Sequence, residues 1–147
     1  GVQDAGNAGT LIRTAVAAGV RVVAASPVAA TLWSPKVMRA GMGAHFGAVF
    51  IENITPAAFR RAYRGRIYAA DARGGEDLFL AADDVAEGPV CWLMGAEGPG
   101  VSDAGLEAAD RRFYIPIEAA CESLNVGAAA AVCLFDTRRR RFARRGA

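Results

Sequence analysis

The sequence predicts one α/β domain, a mostly parallel sheet flanked by helices on both faces. Three observations carry that expectation. Short runs rich in β-branched or aromatic residues alternate with helix-like runs along the whole chain. A length of 147 residues matches one domain of ordinary size, about 100–150 residues, and leaves no room for a second. Hydrophobic residues make up 53% and charged residues 22%, with a mean hydropathy of +0.20, a balance opposite to that of disordered chains.

The first helix is expected over Ala8 to Ala18, where Leu11, Ile12, Ala15 and Val16 share one face and Asn7 is placed to cap the free N–H groups. Strands are expected at Val20 to Ala25 and Ala48 to Glu52. Thr55 is the N-cap candidate for a helix over Pro56 to Tyr63, because proline suits the first helical position. Arg66 to Ala70 reads as a strand, and Asp71 to Asp77, containing Gly74 and Gly75, reads as a surface loop. Pro89 to Gly95 is a further strand, followed by a helix capped by Ser102 and a last strand at Phe113 to Ile117. The longest helix is expected from Leu124 to about Arg141, apolar until its basic end, with Ser123 or Asn125 as its cap. The opening, Gly1 to Asn7, is turn-like and no strand feeds the first helix, so an upstream strand is expected in a longer protein.

No stretch reaches the roughly 18 uncharged apolar residues that cross a bilayer, and no basic region with an apolar signal core opens the chain. The expectation is a cytoplasmic protein without a membrane partner. A net charge of +2 is too mild to say much about partners. The distribution says more, because six arginines crowd the end as Arg138 to Arg141, Arg144 and Arg145. Two readings stand: a solvated helix end whose cations suit the negative pole of the dipole, or a surface for RNA phosphates. Cys91, Cys121 and Cys133 lack C-x-x-C spacing and are expected as reduced core residues. His45 is the only histidine and has no ligand partner at helical or loop spacing, so neither a metal site nor a histidine-based triad is expected.

Three polar islands interrupt the apolar chain. In the first, Asn7 to Arg13, Arg13 projects away from the apolar helix face, either as a surface cation or as an anion-binding arginine beside a cleft. The second, Leu93 to Ser102, sets Glu97 among Gly95, Gly98 and Gly100 after an apolar strand. It matches neither G-x-G-x-x-G nor a P-loop, yet a glycine loop at the carboxyl end of a strand is where open α/β sheets bind ligands. The third couples Ile115-Pro116-Ile117 to Glu122-Ser123-Leu124-Asn125-Val126. Composition and spacing lead this far, to an α/β ligand-binding domain, and leave the chemistry open.

Read together and in order, the islands resemble the three signature motifs of the SpoU (TrmH-like) family of the SPOUT superfamily of RNA methyltransferases. Gly6-Asn7-x-Gly9-Thr10-x-x-Arg13-Thr14-Ala15 resembles the first motif, Leu93-Met94-Gly95-x-Glu97-Gly98-x-Gly100-x-Ser102 the second, and Ile115-Pro116-Ile117 with Glu122 to Val126 the third. Ser34-Pro35-Lys36 through Ala44-His45-Phe46 resembles the intervening segment, so the likeness covers almost the whole chain.

The resemblance implies a SPOUT fold with a deep C-terminal trefoil knot, over roughly Leu93 to Arg141 here. It also implies a homodimer that uses S-adenosyl-L-methionine to methylate a ribose 2′-hydroxyl of RNA, ribosomal RNA ahead of tRNA. The whole of residues 1–147 would be the catalytic domain, preceded in many relatives by an N-terminal RNA-binding domain. By the same likeness Leu93, Gly95, Gly98, Ile115, Ile117, Leu124 and Asn125 lie at the cofactor. Arg13 is the key catalytic residue, with Asn7 and Glu97 shaping the site and Ser123 and Asn125 at the cofactor and ribose end. A guanidinium is a poor proton acceptor at neutral pH, which assigns Arg13 to orienting the ribose and phosphate rather than to acting as base. Two rivals remain: a noncatalytic RNA-binding relative, and an unrelated nucleotide-binding enzyme using Gly95 to Gly100 as a phosphate loop.

Overall fold

The computed structural model describes residues 1–145. Helix α1 spans Ala5–Ala17 and is capped by Asp4, whose carboxylate accepts the Asn7 N–H at 2.8 Å. Asn7 is therefore not the cap. The acid three residues upstream takes the free N–H and leaves the Asn7 amide to point elsewhere. Strand β1, Val22–Ala24, pairs in parallel with β2, Val49–Ile51. Between them lies a helix the sequence reading omitted, α2, Pro35–Gly41, with Ser34 accepting the Val37 N–H and proline in the first turn. Its start signal matches that of α3, Pro56–Ala62, which Thr55 caps as expected.

Strand β3, Arg66–Ala70, has its expected bounds. The next segment is not simply a surface loop: Glu76–Asp77 form β4, and Asp71 is buried. Strand β5, Val90–Met94, is followed by α4, Asp103–Ala108, capped by Ser102 as expected. Strand β6, Arg111–Tyr114, starts two residues before the expected strand and ends three earlier. Arg111 and Arg112 are drawn into the sheet by Glu76 and Asp71, while Pro116 has no N–H with which to extend a ladder. Helix α5, Val126–Arg145, closes the described chain. Of its two cap candidates Asn125 does the work, its Oδ1 accepting the Gly127 and Ala128 N–H groups at 2.8 and 3.3 Å.

The strands form two parallel groups, β1-β2 and β4-β6-β3-β5. Ala70 and Glu76 both pair with Phe113, so the connection between β3 and β4 carries the chain from one side of β6 to the other. Trp92 and Leu93, adjacent on β5, point to opposite faces: Trp92 Nε1 donates to Thr137 of α5, and Leu93 lies against Gly105 of α4. The four-stranded sheet is thus covered on both faces. Tyr68, Leu78, Val85, Phe113 and Cys133 form the core under α5, and Ala8, Ile12, Ala25, Leu32 and Val37 form a second core under α1 and α2. A Cβ on Gly9 would collide with Ala40 and the Val37 carbonyl, so glycine is what lets α1 lie directly on α2.

The basic end of α5 is divided between packing and solvent, with Arg140 buried and Arg138, Arg139, Arg144 and Arg145 exposed. Arg140 has only 2% of its side chain exposed and donates to the Ala81 and Leu78 carbonyls at 2.7 and 2.9 Å, while Asp136 accepts from its Nε at 2.8 Å. Arg141 donates to the Ala86 and Gly88 carbonyls, and Arg144 pairs with Glu87. Arg140 and Arg141 are thus taken up by packing, while the exposed Arg138, Arg139, Arg144 and Arg145 fit either expectation for this end of the helix. Among the cysteines Cys133 is buried and Cys91 half-buried, but Cys121 is exposed rather than in the core. His45 is buried, stacks on Phe50 and donates from Nε2 to the Leu32 carbonyl at 2.6 Å. No helix among the described residues is long and apolar enough to cross a membrane.

Candidate active site

Residues from the three sequence islands meet at the start of α1. The Asn7 Nδ2 group donates to Glu97 Oε1 in the loop after β5. Asn125, at the entrance to α5, donates from Nδ2 to Asn7 Oδ1 at 3.0 Å. Since the Asn125 carbonyl oxygen is already engaged by the first turn of α5, one side chain caps a helix and joins the islands at once. Residues as far apart as 7 and 125 are locked in one polar chain, Glu97 to Asn7 to Asn125.

The glycine loop explains how Glu97 reaches that position. Ala96 and Gly100 form an antiparallel bridge, with the Gly100 N–H donating to the Ala96 carbonyl at 2.9 Å. A Cβ on Gly95 would collide with the main chain of Gly100 and Val101, and Gly98 and Gly100 adopt φ of 83° and 74°, where L side chains are strained. The loop folds back on itself and lifts Glu97 to its tip.

Arg13 stands six residues beyond Asn7 on α1, about 9 Å of helix rise. It is exposed, as the helix phase predicts, and its Nη1 contacts the Met42 thioether at 2.9 Å. A thioether is a weak acceptor, so the remaining guanidinium donors are open to an anion. Arg13 is thus near the polar chain but not bonded into it. Ser123 is exposed, and its main-chain carbonyl accepts the Cys121 thiol at 3.3 Å.

Residues 115–125 are neither helix nor strand. A cavity of about 280 Å³ lies against them, lined by Ile115, Ile117 and neighbouring main chain. Ile117 and Leu124 are 38% and 37% exposed, so part of each aliphatic side chain is open to solvent. Of the expected cofactor residues, Ile115 and Ile117 line this cavity, whereas Gly95, Gly98, Leu124 and Asn125 do not; Asn125 is tied to the glycine loop through Asn7 and Glu97. Leu93 does not line this cavity, because its side chain faces α4.

The sequence reading missed the support beneath the glycine loop. Asp71 has 1% of its side chain exposed; it accepts two hydrogen bonds from the Arg73 guanidinium, both at 3.0 Å, and one from the Arg73 N–H at 3.1 Å, and pairs with Arg112 at 3.1 Å. Arg73 in turn donates to the Val101 carbonyl at 2.7 Å, fixing the far end of the loop. Burial alone raises the Asp71 carboxyl, but the Arg73 hydrogen bonds and the Arg112 charge outweigh it and hold the group below its ordinary value. The available signal was an Asp-x-Arg directly after an apolar strand, which glycines at 74 and 75 disguised as a loop.

Comparison with known proteins places this geometry. Residues 1–135 match the model of the SpoU rRNA Methylase family. The chain is 32% identical over 139 residues to the 23S rRNA (guanosine(2553)-2′-O)-methyltransferase RlmP of Bacillus subtilis, covering 93% of this chain and 55% of that protein. It is 34% identical over 144 residues to the 23S rRNA (guanosine-2′-O-)-methyltransferase RlmB of Bordetella pertussis, covering 96% and 58%. The chain therefore spans a little over half the length of these curated relatives. Among solved structures, the SpoU methyltransferase AviRb of Streptomyces viridochromogenes in complex with AdoMet superposes with a TM-score of 0.83 at 28% identity, over 96% of this chain and 58% of that one. With a family match over nearly its whole length and the three motif segments meeting in space, the chain belongs to the SpoU rRNA methylase family.

Proposed function

We propose that this chain is the catalytic part of an RNA methyltransferase that moves a methyl group from S-adenosylmethionine to a ribose 2′-hydroxyl, with ribosomal RNA as the substrate. The observation that carries the reading is the chain from Glu97 through Asn7 to Asn125, which ties the three motif segments into one site. The rRNA assignment rests on the relatives, whose names specify 23S rRNA.

The residues present suit an adenosyl ligand. Ile115 and Ile117 offer apolar walls for a purine, Leu124 offers a partly exposed apolar side chain on the same segment, and the irregular backbone of 115–125 offers N–H and C=O groups that no sheet ladder uses. Gly95 and Gly98 would present main chain from the loop after β5, while Leu93 acts at one remove, seating β5 against α4. S-adenosylmethionine supplies an electrophilic methyl group on a sulfonium and leaves as a neutral thioether once the 2′-oxygen has bonded to that carbon.

The protein's own work is then positioning and charge stabilisation. Arg13 holds the ribose and its phosphate and favours the developing negative charge on the 2′-oxygen, whose proton passes to water or a phosphate oxygen. Asn7, fixed between Glu97 and Asn125, keeps α1 and hence Arg13 in register with the cofactor loops. Ser123 adds a free hydroxyl at the ribose end. The same reading carries a C-terminal knot, a homodimer and an RNA-binding domain elsewhere in a longer protein; the crossing of residues 71–75 over β6 is the feature of the chain path that supports the knot.

Calorimetric titration with S-adenosylmethionine, S-adenosylhomocysteine, ATP and NAD tests the pocket. Selective binding of the two adenosyl ligands is expected, and binding of ATP or NAD alone would overturn the family chemistry. Transfer of labelled methyl to 23S rRNA tests the substrate. Transfer to tRNA alone would replace the substrate class, and RNA binding without any transfer would favour a noncatalytic role.

A further inference from the structure

The surface beside Arg13 carries exposed rings. Phe46 is 80% exposed, Met42 70% and Trp33 43%. Trp33 rests edge-on against Phe50 at 5.2 Å and tilted against the buried His45 at 5.0 Å, so inner rings hold it while the rest of its surface meets solvent. The Phe46 ring stands 6.2 Å from it, inclined at 60°. Phe46 is fixed through its main chain, its N–H donating to the Gly43 carbonyl at the start of a 3₁₀ turn, Ala44–Gly47. Met42 and Gly43 lead into that turn with φ of 50° and 83°, a left-handed pair that is costly for Met42. Both ends of the 42–47 segment are seated on α1, because the Met42 thioether meets the Arg13 guanidinium and a Cβ on Gly47 would strike Val16. The helix that carries Arg13 thus also mounts the rings.

Their setting is cationic. No Asp or Glu occurs between Asp4 and Glu52, whereas Arg13, Arg21, Lys36 and Arg39 all lie in that span and all are exposed. Among the described residues none of these four pairs with a carboxylate. Trp33, Lys36, Arg39 and Met42 follow one another at three-residue spacing along α2 and its two flanks, so cations alternate with apolar groups on neighbouring turns. Glu52, which bounds the span, is engaged by the Leu32 N–H at 3.2 Å. A nucleobase offers a π face and its backbone offers negative charge, and exposed rings among unpaired cations complement both.

We infer that Trp33 and Phe46, with Lys36 and Arg39, form a stacking platform for unpaired RNA bases beside the nucleotide held at Arg13. The inference rests on RNA as the substrate proposed above and adds the form that substrate takes. Phe46 and Trp33 receive base faces, and Lys36 and Arg39 the flanking phosphates. Bases inside a duplex already stack on their neighbours, so the platform selects a loop, a bulge or an opened strand next to the methylated ribose.

The test titrates the chain with a single-stranded ribo-oligonucleotide of about eight nucleotides, the same oligomer annealed to its complement, and an abasic ribose-phosphate oligomer of equal charge, read by anisotropy and by tryptophan fluorescence. The single strand is expected to bind tightest and to quench the fluorescence. Phe46→Leu, which keeps an apolar side chain at an exposed position, should weaken single-strand binding about fivefold or more and leave abasic binding unchanged, whereas Phe46→Trp keeps the affinity. Lys36→Gln and Arg39→Gln should weaken both oligomers alike and lower the salt slope by about one each. Unchanged single-strand affinity in Phe46→Leu, or equal affinity for the duplex, would overturn the inference. So would conversion of a sedimenting dimer to a monomer by Phe46→Leu, which would make a second copy the occupant. Titration with S-adenosylmethionine separates this inference from the methyl-transfer reading: adenosyl binding without ring-dependent RNA binding removes the platform alone, and ring-dependent RNA binding without adenosyl binding supports the platform and removes the transfer.

Discussion

Arg13 and Arg140 show how burial divides one residue type between chemistry and packing. Arg13 is exposed and meets only the weak Met42 acceptor. Replacing it with alanine is expected to abolish methyl transfer while S-adenosylmethionine affinity stays within a few-fold. A collapse of affinity in the same titration would move Arg13 into the cofactor pocket. Asn125 has two duties, so Asn125→Ala should cost about 1 kcal/mol as a lost cap and also lower transfer by freeing Asn7. Denaturant unfolding and a single-turnover assay separate the two. Burial pushes the Cys133 thiol up to about 12 and Cys91 up to about 11, whereas Cys121 is exposed. One thiol of the three, at Cys121, should therefore react quickly with an aromatic disulfide reagent at pH 8, as peptide mapping would show.

At the scale of elements, α5 is held at its basic end by hydrogen bonds to the carbonyls of residues 78–88. Arg140→Ala leaves Asp136 with Arg139 alone and the Leu78 and Ala81 carbonyls without their donor, and is expected to cost about 3 kcal/mol. Arg139, 66% exposed, should change stability by no more than about 0.5 kcal/mol on the same replacement. Comparable losses from both would mean that the end of α5 is held by its overall charge. Gly9→Ala should force α1 off α2 and cost about 1–3 kcal/mol, with a matching loss of activity because Asn7 and Arg13 move with the helix. These elements were legible in unequal measure. Thr55-Pro56 and Ser102 gave two helix starts because their cap chemistry is local. The equally local Ser34-Pro35 signal marks α2 in the same way as Thr55-Pro56 marks α3. The start of β6 depended on partners 35 and 41 residues away, Glu76 and Asp71, which no local pattern displays.

For the whole molecule, three carboxylates tie distant parts together and lie below their ordinary pKa values. The Ile67 N–H and Arg60 hold Asp110 down, Arg111 holds Glu76 down, and Arg73 with Arg112 overcomes the burial of Asp71. A depressed folded pKa gives stability that is complete above the unfolded value of about 4 and is lost as pH falls through the folded value. The melting midpoint should thus hold above about pH 5 and fall steeply below about pH 4. Asp110→Asn should make that acid limb shallower while lowering stability at neutral pH. A variant whose acid limb keeps the original slope would show that Asp110 is not among the linked groups. Sedimentation at micromolar concentration addresses assembly, where a dimer is expected and a monomer would contradict the proposed homodimer.

The α/β class, the parallel pairing, most element positions and the three polar islands were all legible in the sequence, because periodicity, capping and glycine placement act over a few residues. The motif spacing was legible as well, and through it the family. Tertiary structure alone decided that Asn7 bonds Glu97 and Asn125 instead of capping α1, that Asp71 is a buried post under the glycine loop, and that Arg140 and Arg141 are packing groups. Each of these outcomes turns on which distant partner a polar group meets in the folded chain, and chain order carries no record of that competition.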